Sequence, residues 1–85
     1  MNAERIGIIG LGLIGGSLGM ALRRAGGVEV VGFTRRPESA QEALRRGAVD
    51  RIAEGLAAAC RAEVVVLATP VQAMEALFRE MSAHL

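Results

Sequence analysis

The sequence predicts an α/β domain built on a doubly wound, mainly parallel sheet with strand order 3-2-1-4. Short apolar runs rich in valine and isoleucine alternate with helical patterns along the chain, as in repeated strand–helix–strand units. The strongest of these runs are apolar at successive positions, which is typical of strands covered on both faces. Because crossovers between neighbouring parallel strands are right-handed, few other topologies remain.

The first strand is predicted at residues 6–10 and the first helix at residues 14–25. The strand is a β-branched apolar run that ends in glycine. Two arginines in the last turn of the helix, followed by Gly26 and Gly27, are typical of a helix C-terminus. The predicted inner positions of this helix recur at spacings of three and four: Leu18, Ala21, Leu22 and Ala25.

A second strand is predicted at residues 28–33 and a second helix from Pro37 to Arg46, with a glycine directly after it. Residues 48–52 form at most a short strand, and residues 55–62 form a short helix or helical turn. We expect the inner face of the second helix to consist of Ala40, Ala43 and Leu44.

The clearest strand is predicted at residues 64–68, and a last helix follows it. Thr69 and Gln72 stand at the two positions of a capping box, and Pro70 occupies the first helical position between them. The apolar stripe predicted for this helix consists of Met74, Leu77, Phe78, Met81 and Leu85.

Composition and charge exclude several classes of protein. Hydrophobic residues make up 52% of the chain and charged residues 22%, which indicates a globular protein. The formal charge of +1 predicts no nucleic-acid or membrane partner, and the glycine-rich uncharged segment at residues 6–22 suits a buried element better than a membrane span. Cys60 and His84 are the only cysteine and histidine, so we expect neither a disulfide nor a His/Cys metal site, and we expect a cytoplasmic location.

The motif Gly10-x-Gly12-x-x-Gly15 stands where the first strand meets the first helix. In such a motif the first glycine permits a tight turn, the second lets the backbone approach a diphosphate, and the third lets the helix pack against the strand. Free N–H groups at the helix start, including those of Leu13 and Ile14, then face the phosphates. This context predicts a Rossmann-type dinucleotide-binding domain. A glycine-rich turn that binds no nucleotide is the alternative.

The end of the second strand bears on the choice between NAD and NADP. An NAD site usually carries an acid there, which accepts hydrogen bonds from the adenine ribose hydroxyls. This sequence has Thr34 at that position, followed by Arg35 and Arg36, which offer a hydroxyl and two cations to a 2′-phosphate. We therefore expect NADP as the cofactor, with NAD as the alternative. If no phosphate binds there, the arginines are a solvated pair before a helix.

The carboxyl end of the fourth strand is the other candidate binding segment. Ala68, Thr69 and Pro70 lie there, on the rim where parallel sheets bind ligands, although Thr69 equally suits a helix cap. Cys60 stands among alanines and is expected to be a packing residue. We expect His84 to be a surface histidine. No catalytic residue is therefore predicted within this chain.

The segment GLGLIGGSLG at residues 10–19 resembles the opening cofactor motif of the prephenate and arogenate dehydrogenases. VVGFTRRPESAQEALRRGAVD at residues 30–50 and VVVLATPV at residues 64–71 look like the second-strand region and the fourth-strand loop of the same family. The likeness covers nearly the whole chain. It implies coenzyme binding by Gly10, Gly12, Gly15, Thr34, Arg35, Arg36, Thr69 and Pro70.

The resemblance also implies an activity for the parent protein. Members of the family carry out an oxidative decarboxylation of prephenate or arogenate in tyrosine biosynthesis, in which a hydride passes to the nicotinamide. The family's catalytic histidine and serine and its helical dimerisation domain would follow Leu85, and His84 does not match that histidine. Thr34 replaces the acid of many prephenate enzymes, which favours the NADP-using branch that often accepts arogenate.

Residues 1–85 are therefore expected to be the N-terminal portion of a dinucleotide-binding domain, inactive alone and belonging to a homodimeric parent. An apolar strand at a bare sheet edge would be a pairing liability, so we expect further chain to cover residues 64–68. Two alternatives stay open. One is another NAD(P)-dependent β-hydroxyacid-type oxidoreductase, and the other is a stand-alone nucleotide-sensing module without catalysis.

Overall fold

Strands and helices alternate along the chain in the predicted order. The computed structural model describes residues 4–69 and 71–84. The elements are β1 (Arg5–Ile9), α1 (Leu13–Ala25), β2 (Glu29–Phe33), α2 (Pro37–Arg46), β3 (Arg51–Ile52), α3 (Leu56–Ala59), β4 (Val64–Leu67) and α4 (Val71–Ser82). The two segments expected to be short, β3 and α3, have two and four residues.

The four strands form one parallel sheet in the order β3-β2-β1-β4, which confirms the predicted fold class. β1 lies inside the sheet, where Ile6 is opposite Val30 of β2 and also opposite Val64 of β4. Successive strands are added on one side of β1 up to β3, and β4 is then added on the other side of β1, so the strand order reverses between β1 and β4. In open α/β sheets, ligands bind at the carboxyl ends of the strands beside such a reversal.

Each face of the sheet carries its own apolar core, because successive side chains of a strand point to opposite faces. Ile8 and Ile9 of β1 are both fully buried, in different cores. The core that contains Ile8 includes Ala43 of α2 and half-buried residues of α1. The core that contains Ile9 includes Leu56 of α3 and Met81 of α4. Helices on both faces make the sheet doubly wound.

Helix α1 approaches the sheet through glycines. Gly15 and Gly19 are its buried residues. A Cβ at Gly15 would collide with the carbonyl oxygen of Gly10, and one at Gly19 would collide with the carbonyl oxygen of Ala48. The prediction that Ala21 and Ala25 face the core is wrong, since both are exposed. Because the glycine face of α1 packs against the sheet, these two alanines lie on the solvent-exposed face.

Two further apolar positions differ from prediction. Leu44 of α2 is 47% exposed, because Ala43 faces the core and the next position is rotated about 100° around the helix. Phe78 of α4 is 61% exposed, whereas Met81 is buried and Leu77 packs against the same core. The prediction for Leu85 falls outside the described residues.

Strand β4 is an edge of the sheet as far as the described residues extend. All four of its residues are half-buried. An apolar edge with free backbone groups favours pairing with a further strand. Within the described ranges, no helix combines the length and the hydrophobicity needed to cross a membrane.

Candidate functional site

The turn from β1 into α1 requires glycine at its first position. Gly10 has a φ of +98°, and a Cβ there would lie 2.7 Å from the carbonyl oxygen of Ala68. Its backbone N–H donates to the carbonyl oxygen of Phe33 at 2.8 Å. A left-handed φ and a close backbone contact both exclude a side chain. Gly10 thereby draws together the carboxyl ends of three strands, β1, β2 and β4.

Gly12 differs from the other two glycines of the motif. It is the N-cap of α1 with an extended backbone (φ −78°, ψ −156°), and a Cβ built on it would meet no atom of the described residues within 4 Å other than those of its chain neighbours. Neither the backbone conformation nor the packing of the protein therefore requires glycine here. The residue faces open space above the start of the helix.

The first turn of α1 offers backbone N–H groups to that space. Among the described residues, no side chain caps this turn, and none of its own residues is acidic. The first N–H groups of a helix have no intrahelical acceptor and carry partial positive charge. The side chains of Leu13 and Ile14 are 81% and 75% exposed, so they leave the helix start uncovered. The arrangement suits an anion.

A cavity of about 360 Å³ begins at this turn and extends along the carboxyl ends of the strands. A volume of this size suits a small molecule or part of a dinucleotide. Its lining residues come from the β1–α1 turn, the end of β2, the end of β4 and α4: Ile9, Gly10, Leu11, Gly12, Phe33, Thr34, Arg35, Arg36, Ser39, Ala68, Thr69, Ala73 and Leu77. The structure thus brings Gly10 and Gly12 together with the predicted ribose residues and with Ala68 and Thr69 of the rim, whereas Leu13, Ile14 and Gly15 do not line the cavity.

Thr69 lines this cavity and carries a buried hydroxyl. Its Oγ1 has no hydrogen-bond partner among the described residues, so the predicted cap of α4 by this hydroxyl is wrong. A buried hydroxyl without a partner is costly unless a ligand or water satisfies it. The prediction for Pro70 lies outside the described residues.

The loop after β2 presents its cations to the same cavity. The Thr34 Oγ1 accepts a hydrogen bond from the Arg36 backbone N–H at 3.2 Å, which fixes the turn into α2. The Arg35 Nη2 lies 2.6 Å from the Glu80 Oε1, and its Cζ is 5.6 Å from the Phe33 ring centroid. None of the ion pairs found within the described part of the chain includes Arg36.

Comparison with known proteins identifies the family. Residues 5–85 match the protein family described as "NADP oxidoreductase coenzyme F420-dependent". The chain belongs to this family. A curated relative, prephenate dehydrogenase from Bacillus subtilis (strain 168), is 32% identical over 81 residues, which are 93% of this chain and 22% of the relative.

Two solved structures share the fold of this NADP oxidoreductase family member. Synechocystis arogenate dehydrogenase superimposes with a TM-score of 0.86 and 34% identity, over 95% of this chain and 29% of that one. Prephenate dehydrogenase from A. aeolicus was solved in complex with hydroxyphenyl propionate and NAD+. It superimposes with a TM-score of 0.88 and 27% identity, over 100% of this chain and 31% of that one. The predicted resemblance to prephenate and arogenate dehydrogenases is confirmed, and these relatives are oxidoreductases. The chain spans less than a third of each relative.

In this oxidoreductase family member, sequence reasoning missed part of the site. Ser39, Ala73 and Leu77 line the cavity without having been predicted to do so. Leu77 was expected on the apolar stripe of α4, and it does contact the core as well. Its position four residues after Ala73 places both on one face of the helix. The pairing of Glu80 with Arg35 had no signal in the sequence, since the two residues are 45 positions apart.

Two reactive side chains lie apart from the cavity. Cys60 is buried in the core beside Ala59, as predicted, and burial raises the pKa of its thiol, which disfavours the nucleophilic thiolate. His84 is exposed near the end of the described chain. Within residues 4–69 and 71–84, no three histidine, cysteine or acidic side chains form a group able to hold a metal ion.

Proposed function

We propose that this chain binds the adenine half of NADP(H), with the coenzyme diphosphate at the start of α1. The observation that carries the proposal is the contrast among the three motif glycines. Gly10 and Gly15 are required by backbone contacts within the protein, whereas Gly12 faces open space. A glycine that the fold does not need, at an uncapped helix start, is explained by a ligand whose phosphates must come close to the backbone.

The other contacts follow from the lining of the cavity. The N–H groups of Leu13 and Ile14, the first residues of α1, face the diphosphate. The adenosine extends along the groove between the β2 loop and α4. Ala68 and the unpartnered hydroxyl of Thr69 form the opposite wall, where Pro70 follows them in sequence. These residues hold the coenzyme in place, and the nicotinamide accepts a hydride when the coenzyme is bound.

Thr34, Arg35 and Arg36 support NADP over NAD. The site offers no carboxylate at Thr34 to accept hydrogen bonds from a free ribose 2′-hydroxyl. The guanidinium of Arg36 is exposed, and that of Arg35 lies beside the cavity. Arg36 is therefore available to a ribose 2′-phosphate, and Arg35 reaches one by giving up its contact with Glu80. The relative from A. aeolicus was solved in complex with NAD+.

Replacing Arg35 with alanine is expected to weaken NADP binding by about tenfold or more, because a charge-assisted contact contributes about 1.5 to 3 kcal/mol. NAD binding is expected to change little, since NAD has no 2′-phosphate. Isothermal titration of the chain with each coenzyme measures both constants. Arg24→Ala removes an exposed cation from the far end of α1 and serves as the matched control. Equal losses of NADP and NAD binding in Arg35→Ala would refute the assignment.

For the parent protein, we propose the oxidative decarboxylation of prephenate or arogenate in the cytoplasm, as part of tyrosine biosynthesis. The names of the relatives support this substrate class. Residues 1–85 then supply coenzyme binding as the N-terminal portion of the dinucleotide-binding domain, in a homodimer without nucleic-acid or membrane partners. The substrate is tested by expressing the parent protein and following NADPH formation with prephenate and with arogenate. Activity with neither compound would contradict the proposal.

A further inference from the structure

We propose that Glu80 is a specificity-determining residue, which lowers the affinity of the site for NADP by pairing with Arg35 and by repelling a ribose 2′-phosphate. The inference rests on the proposed coenzyme site and concerns how strongly that site discriminates between NADP and NAD. It assigns a role to a residue of α4 that lies outside the glycine motif and outside the loop after β2.

The position of Glu80 follows from the helical repeat of α4. Ala73, Leu77 and Glu80 are spaced by four and then three residues, so they share one face of the helix. Ala73 and Leu77 line the cavity. Glu80 lies one turn further along, where its Oε1 is 2.6 Å from the Nη2 of Arg35. The pair therefore connects α4 with the loop after β2 at the rim of the groove.

The charge of Glu80 acts on the part of the coenzyme that distinguishes NADP from NAD. A 2′-phosphate that approached Arg35 would come within a few ångströms of the Glu80 carboxylate, since both would contact the same guanidinium. Like charges at that separation repel, and the repulsion weakens as salt screens it. NAD carries a hydroxyl at this position and avoids the repulsion. Glu80 thus opposes the attraction supplied by Arg35 and Arg36.

The ion pair is dispensable for the fold. The side chains of Arg35 and Glu80 are 58% and 49% exposed, and exposed pairs contribute little to stability. Arg35 also lies over the ring of Phe33, which helps to keep the guanidinium beside the groove without Glu80. Removing the charge of Glu80 therefore releases the cation to a phosphate and leaves the rest of the site in place.

The test compares Glu80→Gln with Glu75→Gln by titration of the full chain with NADP and with NAD. Glu75 lies on the same helix in an exposed pair with Arg79, so its replacement makes the same change of charge away from the groove. We expect Glu80→Gln to tighten NADP binding about threefold to tenfold at low salt, with a smaller gain at high salt. NAD binding is expected to stay within about twofold, and Glu75→Gln to match the unmodified chain, because an exposed pair contributes little.

The outcomes separate this inference from the proposed function. If the unmodified chain binds neither coenzyme, the proposed function fails. If it binds both but the ratio of the two dissociation constants is the same in Glu80→Gln and Glu75→Gln, the role of Glu80 is wrong. Weaker NADP binding in Glu80→Gln would also overturn it, because that result would make Glu80 a residue that orients Arg35 for the phosphate.

Discussion

Replacing Gly12 with aspartate is expected to weaken binding of both NADP and NAD by at least about 100-fold, because it places a carboxylate where the diphosphate would lie. The fold is expected to tolerate this change. Gly12 has an extended φ of −78°, and the space around its missing Cβ is open. Aspartate is also a favoured N-cap residue, so the melting temperature should be unchanged or slightly raised.

Gly12→Asn is the matched control for charge. Asparagine has nearly the same size and is an equally good N-cap. If charge dominates, the Gly12→Asn variant should bind both coenzymes more tightly than Gly12→Asp. It should still bind them more weakly than the unmodified chain, because the asparagine side chain occupies the space. Titration calorimetry gives the affinities, and thermal unfolding gives the stabilities. Undiminished coenzyme binding in Gly12→Asp would contradict the placement of the diphosphate.

Replacing Gly15 with alanine is expected to destabilise the chain by about 3 kcal/mol or more, an effect at the upper end for overpacking. The added Cβ would collide with the carbonyl oxygen of Gly10 and would lie 3.3 Å from the Cγ2 of Ile8. The carbonyl belongs to a turn fixed by the positive φ of Gly10, so it cannot move aside cheaply. Unfolding by urea, followed by circular dichroism, measures the change.

Gly16→Ala is the matched control for this substitution. Gly16 is the next residue of α1, and a Cβ there would meet no atom within 4 Å in the described structure apart from its chain neighbours and the nearby backbone of α1. Alanine at such a site should be neutral or stabilise the helix by up to about 1 kcal/mol, through its better helix propensity. Equal stability of Gly15→Ala and Gly16→Ala would show that α1 does not pack against the β1 turn through Gly15.

The sheet could be predicted because its strands are marked locally. The sequence segments that form β1, β2 and β4 contain apolar residues at successive positions. The helices between them form crossovers between parallel strands, and such crossovers are right-handed. The groove lies where the same logic places it, since Gly10, Gly12 and the segment from Thr34 to Arg36 line it at the carboxyl ends of adjacent strands. Local sequence therefore carried both the topology and the position of the groove.

Helix orientation could not be predicted as well. α1 turns Gly15 and Gly19 toward the sheet, and a pattern of hydrophobic residues gives no weight to glycine as an inner position. Phe78 and Leu44 are exposed although their spacing fits an apolar stripe, because neighbouring positions on the helix compete for the inner face. The Arg35–Glu80 pair depends on the docking of α4 beside the loop after β2, which only the folded structure shows.

The placement of the diphosphate at the start of α1 is tested most directly by amide chemical shifts, since an 85-residue chain suits solution NMR. An isotope-labelled chain is titrated with NADPH, and the shift of each backbone amide is followed. We predict the largest changes at Gly12, Leu13 and Ile14, with a second group from Thr34 to Arg36. Absence of any change at saturating NADPH, or changes confined to residues remote from the groove, would contradict the account.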